Sequence, residues 1–166
     1  GFFTSSLNNN KESSKSHFFS NSIIKYENKY FDNSNLEINL EQVSNDTYLK
    51  KFKPKSELIN SDNLMHSFLS YEGNNDTSSL SVSIESYEDL TKTSSDRYEF
   101  IYPNVEFTKD LFPLETSNSL SLKTSLYQKQ YETNKYEQKL ITDLLYTSDT
   151  KFDENGVTRD LQLLFK

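Results

Sequence analysis

The chain has 166 residues, 33% of them hydrophobic and 14% aromatic, with 11 Tyr and 12 Phe but no Trp and no Cys. Its 25 acidic and 18 basic residues leave a net charge of −7, which argues against the basic surface of a nucleic-acid binder. The lack of cysteine excludes a disulfide framework, a thiolate zinc site and a cysteine nucleophile. No apolar run approaches the ~18 residues of a membrane helix.

Aromatic residues in a background of Ser, Thr, Asn and Lys suit strands better than a disordered polymer. The segment from Gly1 to Ser16 is polar and rich in Asn and Ser, and is expected to be a loop. From Phe18 to Phe31, Phe18, Ile24, Tyr26 and Tyr30 alternate with Lys25, Glu27 and Lys29. After the turn formers Asp32-Asn33-Ser34, Leu36, Ile38 and Leu40 alternate with Glu37, Asn39 and Glu41. Ser61 to Tyr71 is the least regular strand, and Gly73-Asn74-Asn75-Asp76 follows it as a turn. In Ser79 to Ser86, Leu80, Val82 and Ile84 oppose Ser81, Ser83 and Glu85. Past the turn Thr93 to Asp96, the strand from Arg97 to Thr108 sets Ile101, Val105 and Phe107 against Tyr98, Phe100 and Tyr102. Pro103 inside it removes a ladder donor and marks a bulge or a weak pairing point.

Lys109 to Asn118, with Pro113, connects to the strand from Ser119 to Gln130, where Leu120, Leu122, Thr124 and Leu126 oppose Ser121, Lys123, Ser125 and Tyr127. In Lys135 to Tyr146, Tyr136, Leu140, Leu144 and Tyr146 oppose Lys135, Glu137, Lys139 and Asp143. Asn155-Gly156 suits a tight hairpin. The last stretch sets Leu161, Leu163 and Phe165 against Asp160, Gln162 and Leu164. The period is two, which is that of strands, and not 3.6. The fold expected is all-β, an antiparallel meander of about eight long strands in a single domain over 1–166. The closing run Leu164-Phe165-Lys166 carries no turn signal, so the domain is expected to be an interior fragment.

Alternating strands fit a soluble sandwich, with one face in a core. They also fit a membrane barrel, with the apolar face toward lipid and the polar face toward a hydrated lumen. Three features favour the barrel. The patterns run ten to fourteen residues, the polar faces are consistently hydrophilic, and Phe18, Tyr30, Phe31, Tyr71, Tyr87, Tyr98, Tyr131, Tyr136 and Tyr146 sit near strand ends, as in an interfacial girdle. The plainer account of the tyrosines is that they form strands well, and the pattern alone leaves both architectures open.

Little in the sequence points to chemistry. His17 and His66 have no partner at ligand spacing. Glu85, Glu88 and Asp89 form an acidic cluster without a nucleophile or a desolvating pocket, and read as a solvated loop. Asp149, Asp153, Glu154 and Asn155 lack the Gly and Glu intervals of an EF-hand. With three glycines and no Gly-x-Ser-x-Gly elbow, no catalytic, cofactor-binding or metal-ligating residue is expected, and the chain is not expected to be an enzyme.

Three segments carry a resemblance. Val43-Ser44-Asn45-Asp46-Thr47-Tyr48-Leu49-Lys50-Lys51-Phe52 directly follows the Leu36/Ile38/Leu40 strand. Asp96-Arg97-Tyr98-Glu99-Phe100-Ile101-Tyr102-Pro103-Asn104-Val105-Glu106-Phe107 comes some fifty residues later, and Tyr131-Glu132-Thr133-Asn134-Lys135-Tyr136 follows as a connection. In order and spacing, over about Lys25 to Lys166, these segments resemble the barrel domain of the LptD family, also called the organic solvent tolerance family. The resemblance implies part of the wall of a large barrel in the outer membrane of a Gram-negative bacterium. There the family inserts lipopolysaccharide into the outer leaflet, with an LptE-like plug lipoprotein inside the barrel. An LptA-like periplasmic bridge would engage a separate N-terminal domain. It also implies lumen-facing positions opposite the apolar rows: Lys25, Glu27, Lys29, Glu37, Asn39, Glu41, Glu85, Lys123, Lys135, Glu137, Lys139 and Asp143. The competing expectation is a secreted or surface-attached sandwich that binds partners, in the manner of an adhesin.

Overall fold

A computed structural model describes residues 1–10, 13–111, 118–132 and 134–166. It contains β1 (Phe2–Asn10), β2 (Ser13–Tyr26), β3 (Asn33–Val43), α1 (Tyr48–Phe52), β4 (Leu64–Asn74), β5 (Ser78–Asp89), a 3-10 turn (Ser94–Arg97), β6 (Tyr98–Asp110), β7 (Ser119–Tyr131), β8 (Lys135–Thr147), β9 (Lys151–Phe152), β10 (Thr158–Arg159) and β11 (Gln162–Phe165). The expected all-β class and antiparallel meander are present. Nine strands form one sheet in the order β1-β2-β3-β4-β5-β6-β7-β8-β11, and β9 and β10 form a separate ribbon. The sheet is open.

Its strands are long. β2 has 14 residues, and β6, β7 and β8 have 13 each, about twice the usual length. The ribbon turns where expected, with Gly156 at φ 78° and Asp153 accepting from the Asn155 and Val157 amides.

Several expectations are corrected. Gly1 to Ser16 is not a loop, because β1 pairs with β2 from Phe2↔Asn21 to Asn10↔Ser13. Asn and Ser are turn formers only when no neighbouring strand takes their backbone groups, and here β2 does. The strand expected to run to Phe31 ends at Tyr26. Asn33 and Ser34 are strand rather than turn, and the reversal is made by Asn28, whose side-chain oxygen accepts from the amides of Tyr30 and Phe31. Gly73 and Asn74 likewise belong to β4, and Asn75 closes that turn on Thr77 and Ser78. The connection expected to contain Pro113 lies outside the described residues over 112–117, as does Thr133.

Pro103 marks a bulge. β6 carries one extra residue between Ile101 and Asn104 relative to both β5 and β7. The extra residue reverses the alternation within one strand. Tyr98 and Phe100 therefore share a face with Val105 and Phe107, not the opposite face as strict period two requires, and Ile101 moves to the polar side beside Glu85.

The buried apolar side chains among the described residues are Phe19, Tyr48, Leu49, Met65 and Leu90. They form one cluster, with Val43, Phe52, Leu58 and Ile59 packed around it. It lies where β3 ends and α1 folds back, beside the middle of β2. This core covers one end of the sheet and neither of its faces.

Candidate functional site

Residues directly opposed in an antiparallel ladder project from the same face, so the register assigns every strand position to one of two faces. One row runs Ile24, Leu36, Tyr71, Val82, Val105, Leu126, Leu140, from β2 to β8 without a polar residue. Ile38, Leu69 and Ile84 lie below it, and Leu122, Leu144 and Phe165 above it. Phe31 packs on Tyr71 at one edge of this face, but most of it is uncovered: Ile24 is 52% exposed, Ile84 47% and Leu140 69%. An open apolar trough follows Ile38, Leu40, Leu69, Ile84, Phe100 and Tyr102. Soluble monomers rarely expose a continuous apolar surface of this extent.

The other face is polar. Its rows read Glu37, Ser70, Ser83, Asn104, Tyr127, Lys139 and Asn39, Phe68, Glu85, Ile101, Lys129, Glu137. Ten of the twelve candidate positions lie on it: Lys25, Glu37, Asn39, Glu41, Glu85, Lys123, Lys135, Glu137, Lys139 and Asp143. Glu27 and Lys29 do not, because β2 ends at Tyr26 and leaves both in the β2–β3 connection.

The polar face is cross-linked. Lys129 pairs with Glu99 at 2.6 Å, Lys123 with Glu106 at 3.8 Å, and Lys139 with Glu137. Asn21 donates to Glu37 at 2.8 Å. The densest group surrounds Glu85. Ser83 and Tyr87 donate to its carboxylate at 2.8 and 2.7 Å, and His66 Nε2 lies 3.1 Å away. The His66 ring stacks on Tyr87 with centroids 4.1 Å apart. With its carboxylate bound by Ser83 and Tyr87 on its own strand and by His66 on β4, Glu85 ties the two strands together on this face.

The acidic cluster read from the sequence is not brought together. Glu85 points to the polar face. Glu88 points to the other face and accepts from Arg97 at 2.8 Å and Tyr98 at 2.9 Å. Asp89 closes a turn on Thr91. Alternation separates neighbours in sequence by the thickness of the sheet. Among the described residues no group of three or more His, Cys, Asp and Glu could hold a metal ion.

The sequence reading missed the cap on the α1 end. Beyond Asn39↔Phe68 the β3–β4 ladder stops although both strands continue. Polar side chains bridge the gap: Asn39 Nδ2 donates to the His66 carbonyl at 2.7 Å, and the Glu41 carboxylate accepts from the His66 amide at 2.8 Å. α1 then places Tyr48 and Leu49 on Phe19 and Met65. Tyr48, Leu49 and Phe52, spaced as on one side of a helical turn, were the available signal.

Arg97 fastens the cap, donating to Asp46 at 2.7 Å and to Glu88 at 2.8 Å. The hydrogen bond from Arg97 holds the Asp46 carboxyl below its ordinary value of 3.8. A depressed folded value contributes stability above the unfolded value and loses it as pH falls through the folded one. Hydrogen exchange in residues 44–52, corrected for intrinsic rates, is therefore expected to quicken below about pH 4 in the parent chain. In Asp46→Asn it should be modestly faster already at neutral pH, with a weaker acid dependence.

Together these features define an all-β protein whose nine-stranded open sheet has one apolar and one polar face. No family model, no curated protein and no solved structure matches the chain.

Proposed function

We propose that this chain is part of the wall of a large outer-membrane β-barrel of the LptD kind, which inserts lipopolysaccharide into the outer leaflet. On this reading the wall does no chemistry. Its apolar face meets lipid, and its polar face lines a hydrated lumen or contacts an LptE-like plug, with an LptA-like bridge acting through a separate domain. The family assignment rests on the sequence resemblance.

The observation that carries the membrane reading is the slant of the apolar band. Relative to the row Leu36…Leu140, the aliphatic stretch of β3 extends downward to Ile38 and Leu40. That of β8 extends upward through Thr142 to Leu144. Level with Ile38, β7 and β8 instead carry Gln128 and Gln138, hydrogen-bonded at 3.1 Å. The band's centre thus moves from Ile38, two residues below the row, to Thr142, two above it, a drift of about four residues over the five steps from β3 to β8. With ~3.4 Å per residue and ~4.8 Å per strand, that is ~14 Å along the strands over ~24 Å across them, a slant of roughly 30°. Membrane-barrel strands tilt by about 35–45°, so a flat slab of lipid crosses them obliquely. Aromatics flank the band, with Tyr26 at the end of β2, and Tyr136 and Tyr146 at the two ends of β8.

The test is to separate the membranes of the source cell and blot with an antibody against this segment. The expected result is an outer-membrane band much heavier than 19.4 kDa that changes mobility when left unboiled. A soluble band near the chain's own mass would instead favour a free-standing sandwich.

A further inference from the structure

The strongest charge feature of the molecule lies on the cap, outside both faces of the sheet. Lys50, Lys51, Lys53 and Lys55 fall within six residues, with no acid between Thr47 and Ser56, in a chain whose net charge is −7. All four are exposed. The fold spreads them around a fixed centre: α1 buries Tyr48 and Leu49, so Lys50 and Lys51 in its last turn face outward. Lys53 ends the helix in the left-handed conformation at φ 43°, and Pro54 then directs the chain away with Lys55. Phe52 sits among them, half-buried, its ring 4.9 Å from Tyr48 and 5.8 Å below the Lys51 ammonium.

Elsewhere on the molecule Lys92, Lys123, Lys129, Lys135 and Lys139 each take a carboxylate partner. Among the described residues none of these four forms an ion pair, and the nearby Asp46 is taken by Arg97. Their position matters as much as their charge. The cap closes on Phe19, beside Phe18, at the same end of the sheet as Tyr98 and Tyr136. Those aromatics edge the apolar band, where the hydrocarbon of a bilayer gives way to its headgroups.

We propose that the Lys50–Lys55 segment is a binding surface for the anionic, phosphate-bearing headgroup layer of a membrane, and fixes the depth of this end of the wall. The inference rests on the membrane reading above. Ammonium groups close to an anionic surface are attracted over about a Debye length. Four unpaired lysines on a braced turn meet that condition, with the flanking Asp46 held by Arg97 and Glu57 the next acid in the chain.

The test uses the whole chain with two kinds of vesicle, one neutral and one containing ~30% anionic phospholipid, at ~0.1 M salt. Flotation reports association, and amine acylation followed by mass spectrometry reports each lysine. The expected result is association with both vesicles, and acylation of Lys50, Lys51, Lys53 and Lys55 slowed at least tenfold only on the anionic ones. Lys123 and Lys139, on the polar face away from that end, should be labelled equally on both. Replacing the four lysines by Gln should weaken the preference for anionic vesicles at least tenfold, and replacing them by Arg should retain it.

Equal labelling of the four on both vesicles overturns this inference and leaves the membrane reading standing. Flotation with neither vesicle removes the membrane reading and this inference with it. Protection reproduced by inorganic phosphate in the absence of vesicles would also overturn it, in favour of a discrete anion pocket.

Discussion

Arginine placed at Ile38 or at Leu126 is expected to cost about 2–4 kcal/mol of folding free energy in lipid, and arginine at Gln128 about 0–1. The measurement is a urea titration of folding into phosphatidylcholine vesicles, read by unboiled gel mobility. Ile38 and Gln128 lie at the same level of the hydrogen-bonded sheet. A band parallel to the rows would treat them alike. The slanted band does not: Ile38 falls near its centre on β3, whereas on β7 that level has passed below Leu126 into the glutamines. Charges cost most at the bilayer midplane and little near the interface, so depth is what the substitution reads. Ser125→Arg is the control, adjacent in sequence to Leu126 but on the polar face opposite Glu106 and Ile141, and should cost little. Equal penalties at Ile38 and Gln128 would sink the slanted slab and, with it, the main physical argument for a membrane wall.

The slanted apolar band is only half legible in the sequence. Alternation in Leu36/Ile38/Leu40, in Leu80/Val82/Ile84 and in Leu120 to Leu126 gave the strands and their faces, because period two is a local property. The slant is not local. It depends on which residue of β3 lies level with which residue of β8, and that follows from five successive registers and one bulge. Pro103 flagged the bulge, but the sequence could not say that one extra residue would return Tyr98 and Phe100 to the apolar side. Composition misled at Gly1 to Ser16, where Asn and Ser read as loop until a partner strand is supplied. The pairing of Glu85 with His66 and Tyr87 was hidden for the same reason, since the register of two hairpin strands brings 66 opposite 87.

Leu49→Ala is expected to destabilise the cap by about 2–5 kcal/mol, the range for deleting a fully buried leucine where the surroundings cannot collapse. Leu49 has no solvent exposure, and its neighbours Phe19 and Met65 are 1% and 2% exposed. Both are fixed from outside, Phe19 by the ladders to β1 and β3 and Met65 by the ladder to β5, so little can move in to fill the space. The loss should also be confined. The cluster lies at the end of β3 to β5, beside the middle of β2, and makes no contribution to the Leu122–Leu144 end of the sheet. Hydrogen exchange is therefore expected to rise across residues 44–63 and at the start of β4, while β7 and β8 keep their protection. In a soluble sandwich with a shared core the same substitution would lower protection throughout. Arg97→Met gives the complementary case, releasing Asp46 from Glu88 without opening a cavity, and should raise exchange at Asn45 to Leu49 by a smaller factor, because exposed ion pairs contribute about 0–1 kcal/mol. The cap is thus held mainly by packing and only aligned by charge. That division leaves the ammonium groups of Lys50, Lys51, Lys53 and Lys55 outside the ion pairs that align the cap and exposed beside it.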